Sequence, residues 1–147
     1  MENSVDHSLV TMVREVPAFA DLEDDALLEL IGISANLFWP GGSLVFEKGS
    51  DPDGLYFVLS GRVGVSDPDA DGSVVEVGAG DFFGELSLLL GVPRTRRVEA
   101  LEDTELLVLP ADSFGELMDS IPDLAARCRQ RAADLTAGDA AEVVLRS

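Results

Sequence analysis

The chain has a single cysteine, Cys128, so no disulfide can form within it. It has a single histidine, His7, which lies in a helical pattern and leaves no cluster of imidazoles to hold a catalytic metal. A metal-dependent jelly-roll enzyme is therefore not expected, and neither is a metal site. Basic residues are scarce: ten Lys and Arg stand against 28 Asp and Glu, for a formal net charge of −18. Such a surface repels phosphate backbones, so nucleic acid is not an expected partner. An anionic small ligand would meet the same repulsion, and local cations would have to recognise it. Long apolar runs are missing too, since none approaches the roughly 18–20 residues of a membrane helix. The opening MENSVDHSLV lacks the basic start and apolar centre of a secretory leader. These absences make the cytoplasm the expected compartment, with no membrane partner.

The chain does have hydrophobic residues, 46% of 147, enough for one folded domain with a proper core. Val5, Leu9, Met12, Val13 and Val16 recur at helical spacing. Pro17-Ala18-Phe19 breaks that helix, and Asp21 is placed to cap a second, whose buried stripe is Ala26, Leu27, Leu30 and Ile31. After residue 34 the period becomes strand-like, with short strands expected at 35–39, 43–47, 54–60, 61–67, 73–77, 94–101 and 103–109. Leu55, Phe57 and Leu59 alternate with Tyr56 and Val58, and Gly- and Asp-rich turns separate the strands. The Asp-rich 67–72 segment lacks the ligand spacing and closing Glu of a calcium loop and reads as a solvated hairpin tip. Ala111 to Met118 should be helical. Pro122-Asp123 then opens a last helix with Leu124, Cys128, Ala132 and Leu135 on one face and Gly138 as its terminator.

The expected fold is mainly β with flanking helices: a jelly-roll or double-stranded β-helix roll over 35–110, an N-terminal helical segment over 1–34, C-terminal helices over 111–138 and a tail over 139–147. Nothing after the last helix reads as a helix-turn-helix or a catalytic domain.

Residues 80–100, GDFFGELSLLLGVPRTRRVEA, hold the candidate site. Gly84 permits a turn that most residues resist, and Glu85 to Leu90 has the composition of a short helix. Unsatisfied N–H groups at its start form an anion seat. Arg94 can return to that seat as a two-pronged cation for phosphate oxygens. Glu85, an acid inside an anion site, suits a hydrogen bond from a sugar hydroxyl.

Gly84-Glu85-Leu86-Ser87 followed by Pro93-Arg94-Thr95 resembles the phosphate-binding cassette of the cyclic nucleotide-binding domain family. Pro40-Gly41, Gly49, Leu55-Tyr56-Phe57, Gly61 and Gly80-Asp81 agree with that pattern, and the similarity runs from about Val10 to Leu135. The resemblance implies cAMP or cGMP as ligand, with no further cofactor. Arg94 would pair with the cyclic phosphate and Thr95 would adjoin it. Glu85 would accept from the ribose 2′-hydroxyl, and Gly84, Leu86 and Ser87 would complete the cradle. Thr at position 95 is found in members that tolerate guanine as well as adenine. The N-terminal helices would be an antenna that relays movement, and the last helix, through residues such as Leu124 and Cys128, a lid over the base. The same helix could serve as a homodimer contact or simply as a packed terminus. Plainer roles stand beside these: a salt bridge for Arg94, a first-turn helix acid for Glu85 and strand filler for Thr95.

Arg96 and Arg97 depart from the family, which favours a small residue after the Arg-Thr pair. Strand alternation would turn Arg96 inward, where an unpaired guanidinium is costly. Three arrangements are open: a second phosphate cation, a pair with Glu85 that occludes the pocket, or a bulge that turns Arg96 to solvent. The last is preferred, because the strand begins near here. The expected function is a stand-alone cyclic nucleotide sensor that acts on an unknown protein effector through its terminal helices. The alternative is a β-roll adaptor that has lost nucleotide binding.

Overall fold

In the computed structural model, residues 7–70 and 73–136 are described. Val5, Asp71, Gly72, Gly138 and the 139–147 tail lie outside them, as do the side chains of Ala132 and Leu135. Helix α1 (His7–Arg14), a 3-10 turn (Pro17–Phe19) and α2 (Asp24–Ile33) precede eight strands. These are β1 (Ala35–Trp39), β2 (Leu44–Phe46), β3 (Gly54–Ser60), β4 (Arg62–Ser66), β5 (Val74–Gly78), β6 (Phe82–Phe83), β7 (Arg97–Ala100) and β8 (Thr104–Pro110). Helix α3 (Glu85–Leu90) joins β6 to β7, and α4 (Phe114–Ser120) and α5 (Pro122–Thr136) close the described chain.

The strands form two antiparallel four-stranded sheets, ordered β1-β8-β3-β6 and β2-β7-β4-β5. The alternation read on β3 sorts its side chains into two cores. Leu55, Phe57 and Leu59 join Leu107 and Leu109 of β8 under the helices, against Val13, Phe19, Leu30 and Leu117. Tyr56 and Val58 face the other way, into the roll, against Phe46, Val63, Val65, Val77, Phe83 and Val98. Strand β3 is thus buried on both faces, with the helices over one side and the second sheet over the other, while the edge strand β1 of the same sheet is largely exposed.

Four elements differ from the sequence reading, the first being β6, since no strand was expected at Phe82–Phe83. Asp21 does not cap α2: the 3-10 turn carries on through a Leu22 N–H to Phe19 C=O bond, and the helix starts at Asp24 with Glu23 as its N-cap. The strand expected from residue 94 begins at Arg97, because Arg94 is tied to the β2–β3 loop instead, by Gly49 N to Arg94 O and Arg94 N to Ser50 O bonds of 2.8 Å each. Helix 111–118 resolves into a 3-10 turn over Ala111–Ser113 followed by α4.

Candidate functional site

The site begins where β6 turns into α3. Gly84 has φ +89°, and a Cβ there would lie 2.8 Å from Nη1 of Arg94, so both the backbone angle and the space call for glycine. Next to it Glu85, Leu86 and Ser87 form the first turn of α3 and are all buried. The helix ends at Gly91, and three residues later Arg94 returns to the same turn.

Arg94 is 2% exposed. A guanidinium removed from water this completely needs partners, and four acceptors supply them. Nη1 donates to Gly84 O at 2.8 Å and to Ser87 Oγ at 2.9 Å, while Nη2 donates to Gly54 O at 2.7 Å and to Asp53 Oδ1 at 3.0 Å. The cation also lies 4.1 Å from the Phe46 ring centroid and 5.6 Å from that of Tyr56. Tyr56 stacks on Phe83 at 5.1 Å and gives its hydroxyl to Asp53 at 3.0 Å. Burial, then the nearby charge of Asp53, pushes the Tyr56 hydroxyl well above the ordinary tyrosine range, so it remains a donor. Nε of Arg94 and Oγ1 of Thr95 are both buried and take no hydrogen-bond partner.

The structure therefore brings Gly84, Glu85, Leu86, Ser87, Arg94 and Thr95 to one corner of the roll. It adds Asp53, Phe46 and Tyr56, which the sequence reading did not select. Asp53 lies 41 residues before Arg94 and is one of 28 acids, so no local spacing marks it out. Its one distinguishing sign is its place just before Gly54 and β3.

Arg96 is corrected. It precedes β7, so strand alternation does not govern it, yet it is not turned to solvent: its side chain is 16% exposed. Nη1 donates to Thr95 O at 2.6 Å and lies 3.6 Å from Asp67 Oδ2, so Arg96 pairs with the β4–β5 hairpin rather than with Glu85. Lys48 joins the same hairpin, with Nζ at 2.7 Å from Asp67 and 2.8 Å from Asp69. That hydrogen bond holds the Asp67 carboxyl below the ordinary aspartate range. Arg97 lies on the outer side with Glu47 and Glu99.

Leu124 and Cys128 are not part of this group. Both are fully buried in the core beneath the helices, on the far side of the first sheet from the aromatic rings that hold Arg94. Among the described residues, no group of three His, Cys, Asp or Glu side chains could hold a metal ion. No described helix is long and apolar enough to cross a membrane.

A family model described as cyclic nucleotide-binding domain matches residues 37–121. A cyclic nucleotide-gated potassium channel of Rhizobium etli is 37% identical over 127 residues, covering 86% of this chain and 35% of the channel. A cAMP-dependent protein kinase regulatory subunit of Aspergillus fumigatus is 31% identical over 120 residues, covering 82% of this chain and 29% of the subunit. The chain thus spans about a third of the length of these relatives. Among solved structures, the catabolite activator protein of Thermus thermophilus superposes with a TM-score of 0.68 at 30% identity, covering 83% of this chain and 62% of that one.

Proposed function

The chain belongs to the cyclic nucleotide-binding domain family, and from that premise we propose that it is a regulatory sensor whose Arg94 corner takes the phosphate of cAMP or cGMP. The observation that carries the reading is a pair of buried polar atoms with no acceptor or donor to meet them, Arg94 Nε and Thr95 Oγ1, on adjacent residues. An unmet buried donor costs about 1–3 kcal/mol, and phosphate oxygens would relieve that cost. Arg94 is already oriented by Asp53 and by its aromatic neighbours, so little ordering remains to be done on binding. Glu85, buried at the first position of α3, is assigned the ribose 2′-hydroxyl. Ser87 Oγ and Gly84 O, which share Nη1, can yield it to the ligand.

Output runs through the helices. Leu88 of α3 packs against the core that contains Leu124 and Cys128 of α5, so a shift of α3 as ligand seats would move α5 with it. Ligand can bias that movement only by its different affinity for the two positions. The relatives include a gated channel and a kinase regulatory subunit. That supports a protein effector as the receiver of the movement, with a second copy of α5 as another contact.

An adaptor without ligand is the second reading, and it draws on one specific observation: all four N–H groups of the two Arg94 amino nitrogens already meet protein acceptors. Titration calorimetry with cAMP and with cGMP separates the two. The sensor releases or takes up heat with at least one nucleotide and saturates at one per chain, whereas the adaptor gives no heat with either.

A further inference from the structure

Helices α2 and α4 leave a groove between them of about 150 Å³. Ala26, Glu29, Leu30 and Ile33 face it from α2 at the spacing of a single helical stripe, and Glu116 and Leu117 face it from α4. Its floor is apolar and closed, since Leu30 and Leu117 are 2% and 6% exposed, while Ile33 at the rim is 42% exposed. The surroundings carry one sign of charge. Helix α2 has Asp24, Asp25 and Glu29, α4 has Glu116 and Asp119, and no Lys, Arg or His occurs from residue 15 to 47 or from 98 to 126. Arg14 reaches Asp24 at 2.8 Å. No ion pair engages Asp25, Glu29, Glu116 or Asp119 among the described residues.

Most occupants fail on size or charge. The groove is smaller than the roughly 300–1,000 Å³ of small-molecule sites, but it can admit the tips of anchoring side chains. A second copy would bring another net charge of −18 to an acidic rim, and nucleic acid or an anionic lipid surface would be repelled likewise. We propose that the α2–α4 groove docks an amphipathic helix of a partner protein, with apolar anchors one turn apart over Leu30, Ile33 and Leu117 and Lys or Arg on its flanks facing Glu29 and Glu116. Helix-in-groove recognition takes this form, with apolar anchors giving affinity and rim charges giving orientation and specificity. This names the chemistry of the effector in the proposed function. It uses no residue of the nucleotide corner, so the two readings can fail separately.

The test is fluorescence polarisation of a labelled peptide of roughly 15 residues on the whole chain without nucleotide. The peptide has leucines at i, i+3 and i+7 and lysines elsewhere, and a scrambled peptide of the same composition is run beside it, both at about 0.15 M salt to screen general attraction. Binding at least about tenfold tighter for the patterned peptide is expected. It should fall at least about tenfold in Glu29→Lys/Glu116→Lys and in Ala26→Trp, which fills the groove, with Ile33→Ser as the milder variant if Trp disturbs folding. Asp51→Lys/Glu105→Lys, the same charge change elsewhere, should leave it unchanged. Equal binding of the scrambled peptide, equal loss in the control variant, or no binding would each overturn the proposal.

Discussion

The carboxylate of Asp53 sits 3.0 Å from Nη2 of Arg94, so an acid in the loop before β3 holds the arginine that returns from the end of α3. The pair is unequal: the Arg94 side chain is wholly buried, while that of Asp53 is 65% exposed. Asp53 orients the buried cation and supplies its counter-charge from the edge of solvent.

Replacing Asp53 by Ala removes one of four acceptors and the counter-charge of a buried guanidinium. A loss of about 1–2 kcal/mol is expected, below that of a fully buried pair because Asp53 is solvated. Urea unfolding of the wild type and Asp53→Ala reads it. An unchanged midpoint would show that Arg94 is held by its carbonyl, hydroxyl and aromatic neighbours alone.

Gly84→Ala meets two obstacles. The φ of +89° is unfavourable for any residue with a Cβ, and that Cβ would press on the Arg94 guanidinium. The expected cost is about 1–3 kcal/mol, together with weaker nucleotide binding as Arg94 is displaced. Thermal unfolding and a nucleotide titration on the same variant check both. A variant as stable as wild type would contradict the close packing of this turn.

Asp67 provides a pH signature. Its carboxyl is held below the ordinary aspartate range, chiefly by the hydrogen bond from Lys48 Nζ. A group depressed in this way stabilises the fold above its unfolded value, about 3.9, and that contribution is lost as pH falls through the lower folded value. The stability gap between the wild type and Asp67→Asn, followed by urea midpoints, should therefore hold near neutral pH and close below about pH 4. A gap that persists through that acid range would remove the Lys48–Asp67 pair as its source.

Much of this fold could be read along the chain, because its strands are short and its turns are marked by glycine and aspartate. Leu55 through Leu59 gave an alternation that the two cores obey residue by residue. The cassette helix Glu85–Leu90 has the bounds expected for it, set by the glycines on either side. What escaped the reading was decided by contacts distant in sequence. Phe82–Phe83 looks like part of a turn and becomes a strand only because Tyr56 and Phe57 offer it an edge. Arg94 looks like the start of a strand, but the loop at Gly49 and Ser50 captures its backbone first. Asp53 and Phe46 join the site through folding alone, since nothing beside them in the chain announces a cation. Arg96 followed neither alternation nor solvent, because Asp67 was across the hairpin to receive it.

The central claim is that Arg94 recognises a cyclic phosphate, and the ratio of dissociation constants between Arg94→Ala and the wild type tests it most directly. Calorimetric titration with cAMP and cGMP, with Arg96→Ala as the comparison, should show at least about a tenfold loss for Arg94→Ala, or about 1.4 kcal/mol, and little change for Arg96→Ala, whose guanidinium is engaged with Asp67. Equal affinity in the wild type and Arg94→Ala would take the arginine out of the ligand's reach and contradict the account.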